Sequence, residues 1–183
     1  MGLEATSHSR GYFLSQAKYA SDLLSHVGLI DYKIASTPLE VNVKFSPTYS
    51  TPLTDAKLHR QLVGSLVYLT VTRPDVAYAL HFVSQFMAAL CTTHYPAVLW
   101  FLCYIKGSLF KALYFPYNSS LELKAYSYSD WDEDSTDRCS TNGYCFFLDD
   151  SLISWCSKKQ NVATHSSTKA EYWALTDTAL EFL

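Results

Sequence analysis

LELKAYSYSDWDED, residues 121–134, marks the point at which the periodicity of this chain changes. Upstream, apolar residues recur every three to four positions; from Leu121 they alternate, as in a strand with two unlike faces. The strand runs into four carboxylates, Asp130, Asp132, Glu133 and Asp134. Such a cluster, with a distant Glu171, offers oxygen ligands to a hard ion such as Mg²⁺. It also describes a solvated acidic turn, in which Asp side chains cap the backbone. The residues alone leave both readings open, and they place a tyrosine, Tyr128, where a further acid would be most useful.

Working outward, GYCFFLD (143–149) and LISWCS (152–157) repeat the alternation. The Asp149–Asp150–Ser151 turn between them is short enough for a hairpin. A final helix opens at Thr168-Lys-Ala-Glu171, with the spacing of a capping box, and carries Tyr172, Leu175, Ala179 and Leu183. In the other direction the pattern is helical. Ser15 is the expected N-cap of a helix bearing Tyr19, Leu23 and Val27 and stopped by Gly28. Residues 36–54 hold three prolines and many hydroxyls and read as a long loop. A second helix places Leu58, Leu62, Leu66 and Leu69 on one stripe. Pro74 then begins a third, with Thr72 and Asp75 as its capping box and Val76, Ala79, Val83, Phe86 and Leu90 as its buried face. A fourth covers 95–106 and closes at Gly107.

Composition narrows the class. The chain has 183 residues, 49% hydrophobic and 17% charged, which is a globular balance. A net charge of −3 argues against strong unaided binding to nucleic acid. Five cysteines, an odd number without a CxxC pair, read as reduced thiols. The longest apolar run, AVLWFLCYI (97–105), has half the length of a membrane span, and MGLEATSHSRG lacks the core of a signal peptide. The expectation is an intracellular protein, cytoplasmic or nuclear, neither secreted nor membrane-bound. His59 and His81 fall on helical segments and His165 just ahead of the last helix; none pairs with a Cys or Ser as a nucleophile's base. Lys158 and Lys159 form the only basic doublet, a candidate phosphate contact or a solvated strand end. Fourteen tyrosines invite a base-stacking surface, though most fall on apolar stripes and read as core.

GYFLSQAKYASDLL (11–24), STPLE (36–40), LVGSLVYLTVTRPDVAYAL (62–80), VSQFM (83–87), YIKGS (104–108), DRCSTNGY (137–144), ISWCSKKQ (153–160) and SSTKAEYWAL (166–175) occur in an order that resembles one family. It is the C-terminal part of a Ty1/copia-type retrotransposon polyprotein, together with short plant organellar proteins derived from such elements. The resemblance covers essentially the whole chain. It implies an α+β architecture: residues 1–115 as the helical thumb and connection region of a reverse transcriptase, and 119–183 as an incomplete ribonuclease H-like domain, a three-stranded meander plus helix.

The implied partners are template-primer or an RNA–DNA hybrid, and other retroelement polyprotein; the implied cofactor is Mg²⁺. The polymerase's paired-aspartate strand would lie before Met1 and a third ribonuclease H acid after Leu183. Where the family reads YSDADWAGD, this chain puts Tyr128 on the first aspartate, the implied metal ligand, and Asp130 on the second. Glu171 matches the family's helix glutamate, so Asp130 and Glu171 are the remaining candidates for catalysis and metal binding. Two-metal hydrolysis needs several carboxylates around ions about 3.5–4 Å apart. A phenol of pKa near 10 stays neutral, and Asp130, two residues along the strand, is displaced by roughly 6.6 Å. Productive Mg²⁺ binding and hydrolysis are therefore not expected. The rival expectations are a residual or complementing ribonuclease H and a non-catalytic nucleic-acid-binding module. Cys139, Cys156, Trp100, Cys103 and His165 stand where the family has arginine, the pattern that C→T and G→A decay of a silenced DNA copy produces.

Overall fold

The computed structural model describes residues 2–29, 32–40, 51, 53, 55–87, 90–131, 139–160, 162–164 and 166–182. It is α+β, with two three-stranded antiparallel sheets and five α-helices among the described residues. The chain packs as two units. One comprises residues 1–6 and 13–113, the other residues 7–12 and 114–183.

The first unit is helical. Helix α1 (Ala17–Val27) begins one residue later than the sequence reading, with Gln16 rather than Ser15 at its N-cap. Ser15 is the last residue of strand β2 (Gly11–Ser15), which follows β1 (Glu4–His8). The stop is as expected: Gly28 takes a left-handed φ of 70°, a conformation that costs glycine nothing, and its N–H reaches back to the carbonyl of Ser25. Helix α2 (Ala56–Leu69) is capped by the Asp55 carboxylate, which accepts from the Leu58 amide at 2.9 Å. Its stripe of Leu62, Leu66 and Leu69 is buried as read, whereas Leu58, in the first turn, is exposed.

Pro74 opens a 3₁₀ turn (Pro74–Val76) that leads into α3 (Ala77–Ser84). The expected Thr72–Asp75 capping box does not form, because both side chains are committed elsewhere. Thr72 Oγ1 donates to Gln16 Oε1 at 2.9 Å, and Asp75 turns to Arg73. Phe86 and Leu90 lie beyond the end of α3, though Leu90 is still buried. Helix α4 (His94–Gly107) buries Val98, Phe101, Leu102, Cys103 and Ile105, so it is apolar on nearly every side and central to the core. Gly107 belongs to the helix rather than ending it. A Cβ there would run into the Ile34 side chain, so the glycine serves close approach.

A polar lock ties the end of α4 to the 3₁₀ turn. Arg73, almost fully buried, donates Nε and Nη2 to the two Asp75 oxygens at 2.8 and 2.9 Å. It also reaches the Ser108 carbonyl at 3.0 Å and hydroxyl at 2.7 Å. Tyr104 Oη and Lys111 Nζ complete the Asp75 shell at 2.7 and 2.9 Å. Burial alone would push the Asp75 carboxyl up. Hydrogen bonds from Arg73, Lys111 and Tyr104, with the Arg73 charge, instead hold it well below the ordinary carboxylate range.

His59 on α2 is fully buried, with neither ring nitrogen hydrogen-bonded among the described residues. Burial lowers its pKa, and the neighbouring His94 and Arg60 add to the effect. A histidine that stays neutral when folded binds protons more readily when unfolded. Its contribution to stability is therefore full above the ordinary value of 6.5 and falls as pH drops below it. The slope for one such group is at most ~1.4 kcal/mol per pH unit. Urea midpoints measured from neutral pH downward should fall, and His59→Leu should flatten that acid limb relative to the parent chain.

The second unit holds the meander. Strands β4 (Leu123–Asp130), β5 (Thr141–Leu148) and β6 (Ser151–Lys159) pair antiparallel in chain order, and β3 (Leu113–Pro116) joins the other sheet in the order β1-β2-β3. Asp149, at a left-handed φ of 54°, turns the β5–β6 hairpin, and the β5–β6 register shifts between Phe146 and Phe147. Helix α5 (Ser167–Phe182) lies on the sheet through the small residues Ala170, Ala174 and Thr178, spaced one turn apart. The Thr168–Glu171 capping box is not made in the expected way: Ser166 Oγ accepts the Lys169 amide at 3.3 Å, and Glu171 is used by the sheet.

Candidate functional site

Strand β4 carries the sequence candidates, and its alternation separates them. Ser129 faces α5, where its hydroxyl donates to Asn142 Oδ1 at 3.1 Å and accepts from Gln160 Nε2 at 3.2 Å. Asn142 in turn donates to Asp177 of α5 at 2.9 Å, and Gln160 to the Ala170 carbonyl at 3.0 Å. A polar network thus docks the helix where an apolar one would be usual. Tyr128 and Asp130, one residue to either side of Ser129, point to the opposite face of the sheet. Tyr128 is 62% exposed. Trp131 closes the strand end, its indole N–H donating to the Thr164 carbonyl at 3.1 Å.

Glu171 sits at the margin between those two faces. Its Oε1 accepts the backbone N–H of Ser129 at 3.3 Å, so the helix glutamate meets β4 within one residue of both Tyr128 and Asp130. The carboxylate is engaged in holding the strand. Among the described residues no three His, Cys, Asp or Glu side chains come together in a way that would hold a metal ion. Asp130 and Glu171 do not amount to a Mg²⁺ site by themselves, since a hard ion near 2.0–2.1 Å from each ligand needs more oxygens than these two acids bring. Asp132, Glu133 and Asp134, and His165, lie outside the described residues.

The remaining candidates are dispersed. Lys158 is exposed on β6, opposite Asn142 in register, with Lys159 beside it on the other face. His59 is buried in the helical unit and His81 lies on α3. The five cysteines are free thiols. Burial raises the pKa of Cys145 and Cys156, which makes neither a ready nucleophile. Of the positions that the resemblance would give to arginine, Trp100 donates to the Thr37 carbonyl at 2.9 Å, and Cys103 is buried. The docking network of Ser129, Asn142, Gln160 and Asp177 was not legible in the sequence. Its one signal was polar residues at inward positions of alternating strands.

The described chain is thus an α+β protein whose meander and helix are compatible with part of a ribonuclease H-like domain. It belongs to the family of copia-type retrotransposon Pol polyproteins and the plant mitochondrial proteins related to them. An uncharacterized mitochondrial protein of Arabidopsis thaliana is 40% identical over 181 residues, covering 99% of this chain and 75% of the relative. The retrovirus-related Pol polyprotein from transposon RE1 of the same plant is also 40% identical over 99% of this chain, which spans 12% of it. The corresponding polyprotein from transposon TNT 1-94 of Nicotiana tabacum is 36% identical over 96% of this chain and 14% of its own length. No protein-family model and no solved structure matches the chain. Among the described residues, no helix is long and apolar enough to cross a membrane.

Proposed function

We propose that this chain is a non-hydrolysing relative of the reverse transcriptase–ribonuclease H region of a copia-type polyprotein. The helical unit takes the part of the thumb and connection, whose ancestral task is to grip template-primer. The meander and α5 take the part of a ribonuclease H-like domain that has lost its catalysis, acting inside the cell. The observation that carries this reading is the state of β4. An exposed tyrosine, Tyr128, stands at the first-aspartate position, and the matching glutamate, Glu171, accepts a backbone N–H. A neutral phenol brings no charge to an ion, and Asp130 is one strand repeat away from the place it would have to fill.

The test is cleavage of a labelled RNA–DNA hybrid with Mg²⁺ or Mn²⁺ by the parent chain, by Tyr128→Asp and by Glu171→Ala. The parent chain is expected to cleave no faster than buffer. Cleavage by the parent that disappears in Glu171→Ala would overturn the reading and make the chain a residual ribonuclease H. Hybrid binding without cleavage, steeply weakened by salt and by loss of Lys158 and Lys159, would locate the ancestral affinity in the meander.

A further inference from the structure

We infer that two buried histidines, His59 and His94, form an acid-operated latch where the first turns of α2 and α4 meet. His59 is the fourth residue of α2 and His94 the first of α4. His59 has no exposed surface and His94 is 3% exposed. The ring of Tyr95, next in the chain to His94, lies 6.3 Å from that of His59 between centroids. Phe86 covers His94, stacked on its imidazole at 4.5 Å.

Geometry fixes the charge of His94. Its Nδ1 accepts the Cys91 backbone N–H at 3.0 Å, and a ring nitrogen that accepts a hydrogen bond carries no proton. The imidazole is therefore neutral, with its one proton on Nε2. The same turn is closed from the other side, because the His94 N–H donates to the Cys91 carbonyl at 3.0 Å. The ring thus does the capping that the Thr93 side chain does not. Two further bonds tie this turn to the chain ahead of α2: the Thr92 N–H to the Thr51 carbonyl and the Leu53 N–H to the Leu90 carbonyl, both 3.0 Å.

The surroundings oppose a positive charge on either ring. Helix N-termini are themselves partly positive, and both rings sit in a first turn. Lys57 and Arg60 share the start of α2, and Arg60 acts on His59 directly. Neither helix has an acid in its first turn, and Asp55 spends its carboxylate on the Leu58 amide. Beside His94, the near end of α4 brings only Tyr95, with Cys91 ahead of it; α3, packed on both helices, carries Tyr78 and His81. Neither His59 nitrogen is hydrogen-bonded among the described residues. The Phe86 face would attract an imidazolium, but His94 cannot become one at Nδ1 without releasing the Cys91 N–H.

Mild acid therefore works on this turn first. A proton on His94 Nδ1 expels the Cys91 N–H, frees the start of α4 together with its bonds to Thr51 and Leu53, and opens His59 to water and a second proton. Leu66, Leu69, Phe101 and Ile105, deeper in the same helices, are held by apolar contacts that acid leaves alone. Both rings are neutral when the latch is closed and bind protons more readily when it opens. Closure is therefore complete above the ordinary histidine value of 6.5 and weakens as the pH falls below it.

Amide hydrogen exchange of the full chain, read residue by residue by NMR from about pH 7.5 to about pH 5, tests the proposal. After correction for intrinsic exchange, the Leu53 and Thr92 amides should lose protection by about tenfold per pH unit for each proton taken up. Leu66 and Leu69 should keep theirs. His94→Asn retains an acceptor near the Nδ1 position without its proton site, and combined with His59→Leu it should abolish the response. His26→Asn, at the exposed end of α1, should leave it intact. The parent's own profile decides even where a variant fails to fold. Protection of Leu53 and Thr92 that is flat with pH, that falls only together with that of Leu66 and Leu69, or that responds equally in the double variant would overturn the proposal.

Discussion

Arg73→Ala should destabilise the helical unit by about 3–5 kcal/mol, the range for breaking a buried ion pair by removing one partner. Folded domains are stable by only about 5–15 kcal/mol, so the variant is expected to lie near or beyond the threshold of unfolding. The reason lies in what the guanidinium satisfies. It serves both oxygens of Asp75 and both the carbonyl and hydroxyl of Ser108, and no neighbouring side chain is placed to replace it on all four. Lys111, half exposed, holds one Asp75 oxygen and Tyr104 the same one. Removal would leave a depressed, charged carboxylate at the edge of an apolar core. Arg73→Lys should recover part of the loss, because an ammonium cannot make the planar two-pronged contact. Urea unfolding followed by far-ultraviolet circular dichroism separates the three proteins. A midpoint for Arg73→Ala indistinguishable from the parent would show that the lock is ornamental.

The second large effect is a contrast between two phenylalanines nine positions apart. Phe101 has no exposed surface and lies in the core among Leu66, Leu69, Leu102 and Ile105. Phe110 is 89% exposed. Truncating a buried phenylalanine removes its transfer free energy and leaves a cavity, so Phe101→Ala should cost about 3–5 kcal/mol. Phe110→Ala should change stability by less than about 0.5 kcal/mol, as surface substitutions usually do. Chemical denaturation of the two variants side by side provides the check. Comparable losses in both would mean that Phe110 is covered by something other than solvent.

How far the sequence disclosed these features depended on the range of the forces involved. The stripes of α2 and α4 and the meander were legible because each repeats a local period of apolar residues. Gly28 was legible because a left-handed turn after an apolar stripe has one cheap solution. The sheet of β1, β2 and β3 was not. EATSH is polar at almost every position, GYFLS runs straight into a helix, and LYFP is too short to show alternation. Their pairing is decided by distant chain segments. The capping boxes failed for a related reason. Thr72, Asp75 and Glu171 had the right spacing for local bonds, but Gln16, Arg73 and the Ser129 N–H offered tertiary partners instead. At the site, the placing of Tyr128 and Asp130 on one face of the strand was readable from its alternation. The engagement of Glu171 with the strand backbone was not, since it arises only when α5 lies down on the sheet.

The small-residue seam under α5 has a calorimetric consequence. Among the described residues, the buried apolar side chains of the meander unit are Phe146, Ala170 and Ala174, while α2 and α4 of the helical unit bury Leu62, Val63, Leu66, Leu69, Val98, Phe101, Leu102 and Ile105. Newly wetted apolar surface raises the heat capacity on unfolding, and newly wetted polar surface lowers it. Melting the meander therefore changes the heat capacity less than melting the helices and gives a flatter stability curve. Melting the helices changes it strongly. Cold would weaken the helical unit more than the meander.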